Sequence, residues 1–136
     1  MTWYQLVKLY GLTLLVFLAV DFLWLGFLAK GFYQRHLGHL FSEQVNWAAA
    51  FLFYLLFIVG LMVFVIYPAF KAHSVWQALW TGMFFGLVAY ATFDLTSLAL
   101  FKGWSVRVVI VDLAWGAVLS GIVSTAGYGI ARWLNG

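Results

Sequence analysis

The chain has 136 residues, of which 66% are hydrophobic and only 8% charged. A soluble domain carries about 25% charged residues to stay dispersed in water, so this composition excludes a water-soluble fold and makes lipid the expected solvent. Seven Lys or Arg against four Asp or Glu leave a net charge of +3; nearly all the bases end apolar runs, where they snorkel to headgroups rather than form a nucleic-acid face, and the absence of cysteine excludes disulfides and thiolate chemistry.

Crossing a hydrocarbon core of about 30 Å takes about 20 helical residues, and four runs are long enough. The first covers 3–29. Lys8 precedes its apolar stretch, but no small-x-small cleavage pattern follows, so it is read as a retained membrane helix rather than a signal peptide. Near its end stands "DFLWLG", which places Asp21 three residues before Trp24. The loop over 30–45 carries His36, His39 and Glu43 at i, i+3 and i+7, beside Phe32, Leu37, Leu40 and Phe41. That pattern predicts a short helix lying in the membrane interface. Its two histidines and carboxylate are the ligand types of a zinc, iron or manganese site, although His-x-x-His alone is not diagnostic and interfacial histidines need bind nothing.

The second run covers 46–67. Between its ends it has no charge and only Tyr54 as a polar side chain, so it is expected to face lipid. The third covers 75–101 and brings Gly82 and Gly86, then Tyr90, Asp94 and Thr96, with Thr92 and Ser97 beside them; Lys102 and Trp104 follow in the next loop. The fourth covers 106–133, with "DLAWGA" placing Asp112 three residues before Trp115. Two small-residue stripes follow, Gly116, Ser120, Ser124 and Ala117, Gly121, Thr125, Gly129, of the kind that let helix backbones approach. The expected fold is an all-α membrane bundle of four transmembrane helices, one domain over 1–136, with both termini on one side. Flanking bases are Lys8, Lys71 and Arg132 on that side against Lys30, Arg35, Lys102 and Arg107 on the other; three against four does not orient the chain, and dual topology stays open.

Depth says more than orientation. At about 1.5 Å rise per residue, Asp21, Asp94 and Asp112 share one slab roughly 6 to 10 Å from the midplane. Each ionised aspartate near a helix centre costs about 2.5 to 3.5 kcal/mol to insert. Lys30, Lys102 and Arg107, the nearest bases in sequence, are each more than a turn away. Partners must come from other helices, water, a ligand or a proton, and the cheapest arrangement turns all three acids toward a common interior. Trp24, Trp104 and Trp115 lie near this layer, where indoles clamp cations or simply pack.

The acids also recur in register. "DFLWLGFLAKGF" from 21 and "DLTSLALFKGW" from 94 both run from Asp to Lys-Gly-aromatic, at Lys30-Gly31-Phe32 and Lys102-Gly103-Trp104. This echo predicts two helical hairpins as parallel repeats; chance likeness among apolar sequences is the alternative.

The stretch "YATFDLTSLALFKGWSVRVVIVDLAWGAVLS", with "VDFLWLG", resembles DUF2177, a family of small bacterial membrane proteins of unknown function. The resemblance runs over essentially the whole chain and rests on Asp21, Trp24, Tyr90, Asp94, Thr96, Lys102, Trp104, Asp112, Trp115 and Gly116. Ser97 departs from the asparagine common in the family, which puts a specific role there in doubt. The resemblance implies a multi-pass protein of the bacterial plasma membrane and names no reaction.

For function, the leading expectation is a ligand or proton site near one membrane face, built from Asp21, Trp24, Tyr90, Asp94, Thr96, Lys102, Trp104, Asp112 and Trp115, and serving proton-coupled transport or binding of a small polar or cationic solute. One alternative is a membrane-embedded, metal-dependent enzyme modifying lipid with these carboxylates. Another is a structural subunit of a larger membrane complex. Membrane lipid and a second copy of the chain are the expected partners, and no soluble-enzyme fingerprint such as G-x-S-x-G or H-E-x-x-H is present.

Overall fold

The computed structural model describes residues 1–28, 31–38 and 46–136. All regular structure among them is helical. Helix α1 covers Trp3–Leu23 and continues as a π-helical turn over Trp24–Leu28; α2 covers Phe32–Leu37; α3 covers Trp47–Leu61 and continues as a π turn over Met62–Ile66 into α4, Tyr67–Lys71; α5 covers Val75–Leu100 and α6 Val106–Asn135. Four of these units are long and apolar enough to cross a membrane: Trp3–Phe27, Trp47–Lys71, Val75–Leu100 and Val106–Asn135.

Their starts follow from short polar side chains that accept the otherwise unpaired first-turn N–H groups. Thr2 and Gln5 form a reciprocal capping box on α1, and Asn46, Ser74 and Ser105 accept from the backbone N–H groups of Ala49, Gln77 and Val108. The second span runs past its expected end at Tyr67, through Pro68. Proline has no N–H to give to the preceding turn, and the turn it follows is already a π turn, with the Tyr67 N–H reaching back to the Met62 carbonyl. At the far end of that span, Arg132 Nη1 lies 2.7 Å from His73 Nδ1.

Helix α6 is the centre of the packing and meets both α1 and α5. Its stripe of Gly116, Ser120 and Ser124 lies against Gly82 and Gly86 of α5. A β-carbon on Gly86 would collide with Ser120 and with the Gly116 carbonyl, and one on Gly82 with Ser124. The second stripe divides: Gly121 seats Met83 of α5, while Gly129 has open space around it. Gly86→Val is therefore expected to destabilise the protein by about 3 kcal/mol, the upper end for overpacking, in a denaturant titration followed by circular dichroism. Gly129→Val should match wild type, and equal losses at both sites would refute the close approach.

The second span does not simply face lipid. Phe57, Ile58, Leu61, Val65 and Ile66 are buried and join Phe17, Leu119 and Val123 in the core. A span that is apolar all round offers no polar face to distinguish its buried side from its lipid side, which is why its sequence misleads. On the outside, Phe22, Leu52, Phe64, Trp76, Phe84 and Ile110 are among many large exposed apolar side chains, as a lipid-facing surface requires.

The two hairpins are unequal: α5 and α6 pack closely, whereas α1 and the second span pack more loosely and leave a hollow lined by Trp3, Tyr10, Val59 and Tyr67. The Asp-to-Lys-Gly-aromatic echo has a local cause all the same. Gly31 and Gly103 both take the left-handed conformation, with φ of 81° and 78°, which glycine adopts at little cost and a β-carbon disfavours. Each lets the chain turn sharply and present the aromatic residue behind it.

Candidate functional site

Residues three apart on a helix share a face, so Asp21 and Trp24 project together where α1 runs into its π turn, as do Asp112 and Trp115 from α6. Because α1 packs on α6, these two faces meet. The indoles of Trp24 and Trp115 stack with centroids 4.5 Å apart and planes 10° from parallel. Trp115 Nε1 donates to Asp21 Oδ1 at 3.3 Å. Trp24 Nε1 donates to the Tyr33 hydroxyl at 3.1 Å, and that hydroxyl donates to Asp112 Oδ1 at 3.0 Å. Each Asp-x-x-Trp motif thus uses its tryptophan to serve the aspartate of the other, once directly and once through Tyr33. Burial, and then the Asp112 carboxylate beside it, raise the Tyr33 phenol above its ordinary range, which keeps it a donor.

Tyr33 reaches this position because Gly31 turns the chain and α2 begins at once. Across the site, the Tyr90 ring lies on Gly116; a β-carbon there would stand 2.5 Å from Tyr90 Cγ. Together these groups wall a cavity of about 460 Å³, with Asp21 and Asp112, the two stacked indoles, Tyr33 and Tyr90 on one side and Ala50, Phe53 and Tyr54 of α3 on the other. That volume is within the usual small-molecule range of about 300 to 1,000 Å³.

Asp94 does not line the cavity. It stands next to Asp112, only 1% exposed, and neither of its carboxyl oxygens has a hydrogen-bond partner among the described residues. Buried polar atoms rarely go unpaired. Two carboxyl groups side by side satisfy each other when one proton lies between them.

The other expected residues fall elsewhere. Thr96 and Lys102 are exposed and outside the cavity wall, because their positions on α5 and after it turn them away from α6. Trp104 packs edge-on against Phe93 at 5.6 Å and near Phe101, with its Nε1 buried and unpaired among the described residues. It reaches the cavity only through Phe93, which lines it. His36 spends Nδ1 on the Phe32 carbonyl of its own helix, 2.9 Å away, and lays its ring on Phe32. His39 and Glu43 lie outside the described residues, and among those described no group of three His, Cys, Asp or Glu is placed to hold a metal.

Sequence reading missed Tyr33, Tyr54 and Phe53. Tyr54 had a signal, as the lone polar side chain in the middle of an apolar span. Tyr33 had a weaker one, its place directly behind the Gly31 turn.

A family model described as "Predicted membrane protein (DUF2177)" matches residues 6–129. No curated protein and no solved structure matches the chain.

Proposed function

We propose, for a chain that belongs to the DUF2177 family of membrane proteins, that the cavity binds a small organic cation in exchange for a proton. The observation that carries this reading is the pairing of two carboxylates with stacked indoles on the wall of one cavity. Carboxylates supply the charge that attracts a cation out of water. Aromatic faces supply the quadrupole that holds an ammonium group once it is desolvated, worth about 2 kcal/mol or more per contact in a dry site. Tyrosines fit the same use, being apolar toward the ligand with a hydroxyl left for hydrogen bonding.

The proton belongs to Asp94 and Asp112. Without ligand, one proton held between them gives both carboxyl groups a partner and removes one buried charge. When a cation enters beside Asp112, the proton leaves, so the site's total charge stays constant. Constant charge is what makes either state affordable within a membrane.

Calorimetric titration of the purified protein, in nanodiscs of a phosphatidylglycerol bilayer, with tetramethylammonium tests the reading. One equivalent should bind, with protons released to the buffer. No binding by wild type would overturn it.

A further inference from the structure

Resting on the cation reading, we infer that the ligand is a bilayer lipid with an ammonium headgroup, whose tail lies in an apolar furrow continuous with the cavity. Two residues of the cavity wall, Phe53 of α3 and Phe93 of α5, are 45% and 59% exposed on the lipid-facing surface. A water-borne solute has no reason to approach there. A lipid is already present.

Phe53 is shared. Beyond it a second hollow of about 380 Å³ with no polar lining runs along α3 and into the π turn after it, past Leu56, Gly60 and Val63, and Phe85 of α5 also borders it. Phe53, Leu56, Gly60 and Val63 share one helical face and together extend about 15 Å along the axis. Gly60 lets the Phe85 ring seat against the second span and close one side of the furrow: a β-carbon there would stand 2.8 Å from that ring.

Polarity and direction agree with this occupant. The cavity takes the first two turns of α3, nearest the membrane face where the helix begins, and the furrow takes the turns that follow toward the midplane. A bilayer lipid points the same way, head outward and tail inward, and its head would be drawn inward from the interface to the level of the carboxylates. Two carboxylates at the head end select an ammonium group and disfavour an anionic head, which separates this site from the ordinary lipid coat.

Native mass spectrometry from a detergent mixture of phosphatidylethanolamine and phosphatidylglycerol with identical acyl chains provides the test. Wild type should retain one phosphatidylethanolamine in preference to phosphatidylglycerol. Leu56→Trp and Val63→Phe, each filling the furrow at an exposed position, should lose that retention severalfold, because the larger side chain occupies the space the tail would take. Both variants should still bind tetramethylammonium as wild type does, since neither residue lines the cavity. Equal retention of the two lipids, or retention unchanged in both variants, would overturn the lipid assignment. Failure of tetramethylammonium to bind wild type would instead remove the cation reading beneath it.

Discussion

Asp112→Asn is expected to weaken tetramethylammonium binding by about 30-fold or more, because removing one partner of a desolvated charged contact costs about 2 to 5 kcal/mol. The substitution keeps the shape of the side chain, and the amide oxygen can still accept from Tyr33, whose hydroxyl now meets Asp112 Oδ1. Loss of affinity would therefore report the charge, with a melting curve near wild type as the check. Asp94→Asn separates the proton from the cation. An asparagine amide beside Asp112 supplies a fixed N–H donor where wild type uses a shared proton. In wild type each bound cation displaces one proton, so affinity should rise with pH, by at most about tenfold per pH unit, and should fall as protons compete at lower pH. Asp94→Asn should bind at least as tightly as wild type at low pH, with a flat profile. A profile as steep as wild type would place the exchanged proton on another group and sink the role given to Asp94.

How much of this was legible follows from which signals a membrane sequence can carry. The spans were legible because a bilayer demands long apolar runs, and their observed limits differ from the expected ones by a few residues, mainly where Pro68 follows a π turn. The convergence of the aspartates was legible too, because a carboxylate inside lipid must find company and helical rise fixes its depth. Direction around each helix was much less so. Thr96 and Trp104 sit within ten residues of Asp94 yet point elsewhere, and the uniform apolarity of the second span concealed both its buried side and its wall of the cavity. Tyr33 was the hardest to find. It enters through a turn set by Gly31, and nothing in periodicity says where a short helix beyond such a turn will fall.

Trp24 and Trp115 give the second large expected effect. Replacing either by leucine should cost about 3 kcal/mol of stability, toward the lower end for truncating a packed aromatic because both rings are only partly buried. The two losses should not add. Either substitution alone already breaks the stack, so the double variant should be more stable than the sum predicts by about 0.5 to 1.5 kcal/mol, the worth of an aromatic pair; additivity within about 0.5 kcal/mol would show that the stack contributes nothing. Trp115→Phe isolates the other half of the arrangement. It retains a ring for stacking but removes the N–H that Asp21 accepts, leaving a buried carboxylate short of a donor at about 1 to 3 kcal/mol. The crossed design explains why the aspartates sit in identical motifs on two helices: neither carboxylate is held by its own helix, so neither is oriented until α1 and α6 have met. Cation affinity should therefore fall in Trp115→Phe although Asp112 is untouched, and the same variant should leave the Tyr33 to Asp112 bond intact. Affinity equal to wild type would mean that Asp21 needs no orienting partner and that the motif pair serves only to join the helices.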